Sequence, residues 1–423
     1  MTSPAHSEEG QTEGAAKFRT GSAFFRSSSQ TGRDLAILAA IAHKATLPAA
    51  QPFRILDAMT GCGVRPLRYA LEAQADYVWA NEGNHDLYPL LSKNLGDSLP
   101  ATRYRITHQN ANAVFFDCYQ RQDFYDLIDI DGFGSPMPTL STALWAVKLG
   151  GLLYLTSTDG RATSGHAPNK SLQTYGAYAR AHPAVHEQGL RLLIGAAIQQ
   201  AAARGLGAQP VFSFYNGEVN RVMVRITQKA QWKQAHYGFL AYCHGCGQFQ
   251  TVGWKKLARV ACVCPAANSN SVSETVETRP GENLPVSRPV TNRPVTNRPV
   301  TNRPVISGPM WLGPLHNHQA LEDMRQIAIA HQTSHTPYQQ RWKQTQALLE
   351  TMQTEATLPP YYYPLAEIGR RGKMDIPPRD ELIAQIRQSG FQASRTHLSE
   401  QAIKTDCPLA TVTAIALTGI STL

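Results

Sequence analysis

The sequence predicts an α/β fold, a doubly wound sheet with a Rossmann-like opening, followed by a second domain. Three observations predict it. The first is the run Asp126-Leu127-Ile128-Asp129-Ile130-Asp131, which ends in Gly132-Phe133-Gly134-Ser135-Pro136. It reads as a buried parallel strand that delivers an acid and an aromatic ring to the carboxyl edge of a sheet, where open α/β sheets bind ligands. The second lies upstream. Phe53-Arg54-Ile55-Leu56-Asp57 leads through Thr60-Gly61-Cys62-Gly63-Val64-Arg65 into the helical stretch Pro66 to Glu72. Strand, glycine turn and helix in that order open a Rossmann-like unit. The third is the alternation that continues to about Thr227. Strands are predicted at Leu152–Thr156, Pro210–Tyr215 and Arg221–Ile226, and a long Leu-, Ile- and Ala-rich helix from Val185 to Arg204. Before the sheet, Gly32-Arg33-Asp34 leads into an apolar helix through Ile41.

Two further features give this sheet a chemistry. Tyr77-Val78-Trp79-Ala80-Asn81-Glu82 is a second strand ending in an acid, about 20 residues after the glycine turn, the spacing at which a carboxylate meets ribose hydroxyls. The turn is not GxGxxG, so a dinucleotide fits less well than a nucleoside without phosphates, and S-adenosylmethionine meets that description. Taken alone, the turn reads equally as a structural βα connection. An acid beside an exposed aromatic, Asp131 and Phe133, suits an enzyme that holds a flat heterocycle and takes a proton from it.

At 423 residues the chain has room for two domains with full cores. No apolar run approaches the length of a membrane span. Residues 1–16 are small and polar, with Glu8, Glu9 and Glu13, and read as a disordered tail of a cytoplasmic protein rather than as a signal or transit peptide. The net charge of +9 is uneven: from residue 229 onward there are 20 Lys and Arg against 13 Asp and Glu. That excess fits a grip on a polyanion, and equally a generic basic surface. A boundary is expected near residues 228–240. After it, Arg288-Pro289-Val290-Thr291-Asn292 repeats in frame at Arg293 and Arg298, with a partial copy at Arg303. A proline every five residues rules out helix and central strand, so 266–306 is expected to be an exposed, disordered insertion. Helices follow around Gln319–Gln332, Gln339–Thr354 and Arg379–Gly390.

Of the seven cysteines, Cys62, Cys118 and Cys407 are isolated and expected to be unpaired in a reducing compartment. Cys243 and Cys246, then Cys262 and Cys264, approximate a four-thiolate structural zinc module over residues 243–264, although the second pair is one residue closer than a standard knuckle. His316, His318, His331 and His335 show no metal-ligand spacing and are expected to be packed or on the surface.

The chain resembles the tRNA guanine-26 N2-dimethyltransferase family over nearly its whole length apart from the tail and the repeat. The resemblance is carried by Phe24-Phe25-Arg26-Ser27 with Gly32-Arg33-Asp34-Leu35, by Asp57 to Tyr69, by Ile128 to Pro136 and by Thr158-Asp159-Gly160. It is carried most specifically by Gly308-Pro309-Met310-Trp311-Leu312-Gly313-Pro314-Leu315-His316 and by Gly390 to His397 with Ile403-Lys404-Thr405-Asp406. It implies a seven-stranded, Rossmann-like class I methyltransferase domain over 17–228 and a smaller α+β tRNA-binding domain over 229–423. It implies S-adenosylmethionine as cofactor and tRNA as partner, with no membrane and no protein partner called for. Arg33 and Arg65 would meet the methionine carboxylate, and Asp57 would belong to the cofactor turn. Glu82 would bind the ribose, and Asn110 with Ala111 the adenine edge. Asp131 would be the catalytic acid, with Phe133 and Phe24 sandwiching the target guanine.

This chain departs from the family pattern at Gly132, where a proline is usual, at Arg26-Ser27 for Asn-Pro, and at Glu82 and Asn110 for aspartates. Asp126 and Asp129 are expected to be a helix cap or solvated charge. Arg370, Arg371, Lys373, Arg395, His397 and Lys404 are expected to touch the tRNA backbone. Two rival readings stay open: an N-methyltransferase acting on another nucleic acid, and a tRNA-binding module that has lost its chemistry.

Overall fold

The structure, a computed structural model, describes residues 10–217, 219–230, 233–264, 301–334 and 339–420. Its centre is a seven-stranded sheet: β1 (Arg54–Asp57), β2 (Tyr77–Asn81), β3 (Tyr104–Thr107), β4 (Tyr125–Ile130), β5 (Val147–Ser157), β6 (Gly207–Asn216) and β7 (Val219–Thr227). The spatial order is β3-β2-β1-β4-β5-β7-β6. The strands β1 to β5 pair in parallel, and β7 runs antiparallel between β5 and β6. The chain moves outward from β1 to β3 and then returns to place β4 on the other side of β1. That reversal opens a crevice at the carboxyl ends of β1 and β4.

All six residues of β4 are buried, which a strand covered on both faces requires. Its two acids are therefore enclosed, and neither is a solvated charge or a helix cap. Asp126, at the start of the strand, accepts from the Lys148 ammonium at 2.8 and 2.9 Å and from the Arg54 amide at 2.8 Å. Asp129, near its end, is the partner of Arg65 and Tyr69.

Helices α1 (Gln30–Lys44), α2 (Val64–Leu71), α3 (Tyr88–Gly96), α4 (Ala111–Gln120), α5 (Met137–Ala143) and α6 (Val185–Ala202) cover the two faces. In α1, Leu35, Ala36, Leu38, Ala39 and Ala40 are buried, and they share an apolar cluster with Ile55 of β1, Val78 of β2 and Leu127 of β4.

The expected tail is ordered from its eleventh residue. Gln11–Glu13 and Ala16–Phe18 form an antiparallel hairpin. Glu13 is 3% exposed and accepts from Arg33 at 2.6 Å and from Arg68 at 2.8 Å. Two arginines buried under the sheet edge need a carboxylate, and this segment supplies it. Residues 1–9 lie outside the described residues.

The expected insertion is also shorter than 266–306 at its far end. Thr301–Asn302 pairs with Cys262–Val263, and β10 (Val305–Trp311) joins β8 (Tyr237–Tyr242) and β9 (Phe249–Val252) in the order β9-β8-β10. The partial repeat at Arg303-Pro304 falls between these strands, where a proline takes no ladder hydrogen bond away. The in-frame copies run from Arg288 to Asn302, and all of them but Thr301 and Asn302 lie outside the described residues.

The second half does not form one separate body. Helices α7 (His318–Ser334) and α8 (Gln339–Glu355) pack on each other and on α1. Leu321, Met324, Trp342, Leu349 and Met352 belong to the same apolar cluster as α1. A last sheet, β11 (Tyr363–Pro364), β12 (Ala393–Arg395) and β13 (Ala402–Thr405), has the order β11-β13-β12 and sits with three helices, Leu365–Gly372, Arg379–Gln388 and Leu409–Ile420.

Buried charges tie this last sheet to the first half. Lys404 of β13 is 1% exposed and donates to Glu187 of α6 at 2.7 Å. Glu187 also accepts from Arg191, which donates onward to the Trp311 and Gly313 carbonyls. Glu355, at the end of α8, is enclosed with His316 and His397, and His397 donates to it. Lys404 and His397 are thus inside the protein and not part of a tRNA footprint. Arg370 and Arg371 pair with Glu367, and Arg395 with Asp380. The three groups His316, Glu355 and His397 do not suit a metal. His316 Nδ1 already accepts the Ser213 amide at 3.2 Å, so its Nε2 carries the proton, 3.8 Å from a Glu355 oxygen. His335 lies outside the described residues.

Candidate active site

A cavity of about 710 Å³ opens at the carboxyl ends of β1, β2 and β4, the crevice that the strand order creates. Phe24, Arg33, Arg65, Glu82, Asn110, Ala111, Asp131 and Phe133 all line it. These are eight of the nine residues that the sequence pointed to. Asp57 is the ninth and does not line the cavity. It is 1% exposed and lies beneath the turn, where its carboxylate accepts from the Met59 amide at 3.3 Å.

The turn after β1 is built by glycine. Gly63 has φ 87°, and a Cβ there would come within 2.7 Å of Leu91. Only glycine lets the backbone bend left-handed while α3 packs this close. The far side of the turn is fastened by β2: Glu82 accepts from the Gly61 amide at 2.8 Å and from the Asn84 amide at 2.9 Å. Asn81, buried beside it, donates to the carbonyls of Ala58 and Gln109. Asn110 caps α4 by accepting from the Asn112 amide at 2.9 Å, which uses one lone pair of its carbonyl oxygen.

Arg33 and Arg65 reach the cavity with carboxylates attached. Arg33 is bidentate to Glu13. Arg65 donates from Nη1 to both oxygens of Asp129, at 2.7 and 2.8 Å, and its Nη2 pairs with Asp131. Burial works against the Arg65 charge, but Asp129 and Asp57 outweigh it and raise its pKa above the ordinary guanidinium value. Burial, and then the neighbouring charge of Asp129, push the Asp57 carboxyl up to about 7.

The Gly132-Phe133-Gly134 turn is pinned from β5. Thr158 Oγ1 accepts from the Gly134 amide at 2.7 Å, and the Thr158 amide donates to the Gly134 carbonyl at 2.8 Å. A Cβ on Gly132 would stand 2.5 Å from the Met59 sulfur. The family proline would need the Met59 side chain to move aside. Phe24 and Phe133 are 62% and 76% exposed, and their ring centroids are 4.9 Å apart at 69°. They meet edge to face rather than as two parallel plates, because each exposed ring covers the other. A base entering between them has to part them.

The sequence reading missed Glu13, Met59 and Arg221. Met59 and Arg221 line the cavity. Glu13 was placed in a tail because a three-residue strand has no legible period. Arg221 sits in a predicted strand with nothing in its neighbourhood to mark it.

Comparison with known proteins identifies the architecture. The family profile for N2,N2-dimethylguanosine tRNA methyltransferase matches residues 7–416. The chain belongs to this family. A tRNA (guanine(26)-N(2))-dimethyltransferase of Pyrococcus abyssi is 27% identical over 402 residues, covering 91% of this chain and 90% of the relative. One from Schizosaccharomyces pombe is 28% identical over 365 residues, covering 84% of this chain and 62% of the relative. The structure of Trm1 from Pyrococcus horikoshii in complex with S-adenosyl-L-methionine superposes with a TM-score of 0.74 at 26% identity, over 96% of this chain and 99% of that one. A Rossmann-like methyltransferase domain with a smaller C-terminal part is thus the fold of this family.

The Asp57 proton gives a testable consequence. Its carboxyl is held up to about 7 against an ordinary 3.8. The folded state binds this proton more tightly, so the group favours folding at low pH, and that contribution is lost as pH rises from about 4 through about 7. Asp57→Asn should remove this dependence. In thermal melts, the variant should gain on the wild type as pH increases across that window.

Proposed function

We propose that this protein transfers one or two methyl groups from S-adenosylmethionine to the exocyclic N2 of guanine 26 in tRNA. One observation carries the reading. Asp131, Phe133 and Phe24 line the same cavity as Arg33, Arg65, Glu82, Asn110 and Ala111, in a chain whose relatives are named for this reaction. When bound, S-adenosylmethionine supplies an electrophilic methyl group on a sulfonium.

Glu82, fixed by the Gly61 and Asn84 amides, takes the ribose hydroxyls. Asn110 and Ala111 meet the adenine edge, and Arg33 and Arg65 face the methionine end. The guanine amine is a weak nucleophile because its lone pair is delocalised into the ring. Asp131 accepts an N–H of that amine and so orients the nitrogen in line with the methyl carbon. As the C–N bond forms, the C–S bond breaks with its electron pair going to sulfur. The amine proton then passes to the Asp131 carboxylate. A stacked guanine has to leave the tRNA helix for this, and Phe24 and Phe133 replace the stacking it loses. The basic second half, from residue 229, holds the tRNA, and the cytoplasm is the compartment where the substrate and the unpaired thiols belong.

The four cysteines support a structural zinc. Their sulfurs all lie within 4.8 Å of one another, with Cys243 to Cys264 at 3.5 Å and Cys246 to Cys262 at 3.3 Å. Tetrahedral zinc with sulfurs at about 2.3 Å sets them about 3.8 Å apart, so small shifts would seat the ion. The close Cys262 and Cys264 spacing also works, because residues two apart in an extended strand face the same side. Four thiolates leave no open position, so this metal would hold the fold together and take no part in methyl transfer.

The reading is tested with labelled S-adenosylmethionine and unmodified tRNA transcripts. Nucleoside analysis should find N2-methylated guanosine in wild-type tRNA and none in a transcript with adenine at position 26. Asp131→Ala should lower the rate by about 100-fold or more. Transfer that persists on the adenine-26 transcript would favour another nucleic-acid site, and tRNA binding without transfer would favour a binding module. Metal analysis of the purified protein should give one zinc per chain, and Cys246→Ser should lower that content together with the melting temperature.

A further inference from the structure

Three buried arginines line the cavity: Arg33, Arg65 and Arg221. Two of them carry their own carboxylates, as described above. Arg221 of β7 does not. It is 3% exposed, its Nη2 donates to the Ser29 hydroxyl at 3.2 Å, and its Nε has no hydrogen-bond partner. Among the described residues no carboxylate pairs with it.

A buried cation without a counter-charge is costly, and here the surroundings add to the cost. The side chain lies against the first turn of α1, whose N-terminal end carries the positive pole of the helix. Gly32 makes the space: a Cβ there would fall 2.7 Å from the Arg221 Cδ and 2.8 Å from its Nε. Arg33 and Arg65 repel it further. Burial first, with this repulsion added, brings its pKa down to about 10. A helix with a glycine at its first turn, a guanidinium threaded past that glycine and an open face on the cavity make a site for an anion.

We propose that Arg221 receives an oxyanion that a substrate brings into the cavity: the carboxylate of S-adenosylmethionine or a phosphodiester of the tRNA. This rests on the methyltransferase reading above and names one of its binding groups. Both ligands present a flat or forked pair of oxygens, which a guanidinium matches with two parallel hydrogen bonds. The idle Nε is one of the donors that such a pairing would use.

The test uses the wild-type chain, Arg221→Gln and Arg221→Lys, with calorimetry for two small ligands and filter binding for tRNA. S-adenosylhomocysteine has the carboxylate. Methylthioadenosine has the same nucleoside and lacks the amino-acid end. If Arg221 takes the carboxylate, Arg221→Gln should weaken S-adenosylhomocysteine about 10- to 100-fold and leave methylthioadenosine unchanged. If it takes a phosphate, both small ligands should bind as before, tRNA should bind more weakly, and the salt slope of tRNA binding should fall by about 1. Arg221→Lys should recover part of either loss. The proposal is overturned if Arg221→Gln binds all three ligands like the wild type, or weakens both small ligands equally. A wild type that binds S-adenosylhomocysteine but methylates no tRNA would count against the functional reading and leave the carboxylate arm standing.

Discussion

Arg65 stands between two carboxylates of a single strand, and the arrangement of the site follows from its charge. Asp129, enclosed in β4, takes both bonds of one guanidinium nitrogen, and Asp131, two residues on, takes the other nitrogen at the cavity wall. Residues two apart in a strand share a face, so a single arginine on α2 can hold both. The consequence is that Asp131 arrives at the strand end with a fixed orientation. A third acid, Asp57 on the neighbouring strand, shares the same positive charge. Burial first, and then the charge of Asp129, outweigh that share and push the Asp57 carboxyl up to about 7.

The rest of the site is a set of clamps around this centre. Asn81 of β2 and Glu82 just after it hold the glycine turn above Asp57, and Thr158, just after β5, holds the turn that carries Phe133. The N-terminal hairpin closes the other side through Glu13, which serves Arg33 and Arg68 together. Methyl transfer to a weak nucleophile gains mainly from alignment, and alignment is what this ring of hydrogen bonds provides. The adjustable element is the pair Phe24 and Phe133, exposed rings that meet edge to face, with the Arg26 guanidinium over Phe24.

The central sheet was legible because its signals are local. An apolar run closed by acids and a glycine turn marks β4 without help from the rest of the chain, and the same holds for β1 and the helix Val185–Ala202. Glu82, Asp131 and Phe133 follow strand ends that are visible in the sequence, whereas Phe24, Arg33, Arg65, Asn110 and Ala111 were expected from the family resemblance, and all eight line one cavity. What stayed hidden depends on distant partners. Glu13 matters through arginines 20 and 55 residues away. Arg221 is recognised by its contact with Ser29, 192 residues earlier, and by the lack, among the described residues, of a carboxylate paired with it. Lys404 and His397 looked like surface charge, and only the fold shows that Glu187 and Glu355 draw them inside.

The most direct measurement is the single-turnover rate of methyl transfer in Asp129→Asn, with tRNA and S-adenosylhomocysteine affinities determined alongside. Asp129 is 0% exposed and can touch no substrate. If Arg65 orients Asp131 through this carboxylate, the rate should fall about 10-fold or more while tRNA affinity stays unchanged. A folded Asp129→Asn enzyme with the wild-type rate would contradict the account, since Asp131 would then need no such support.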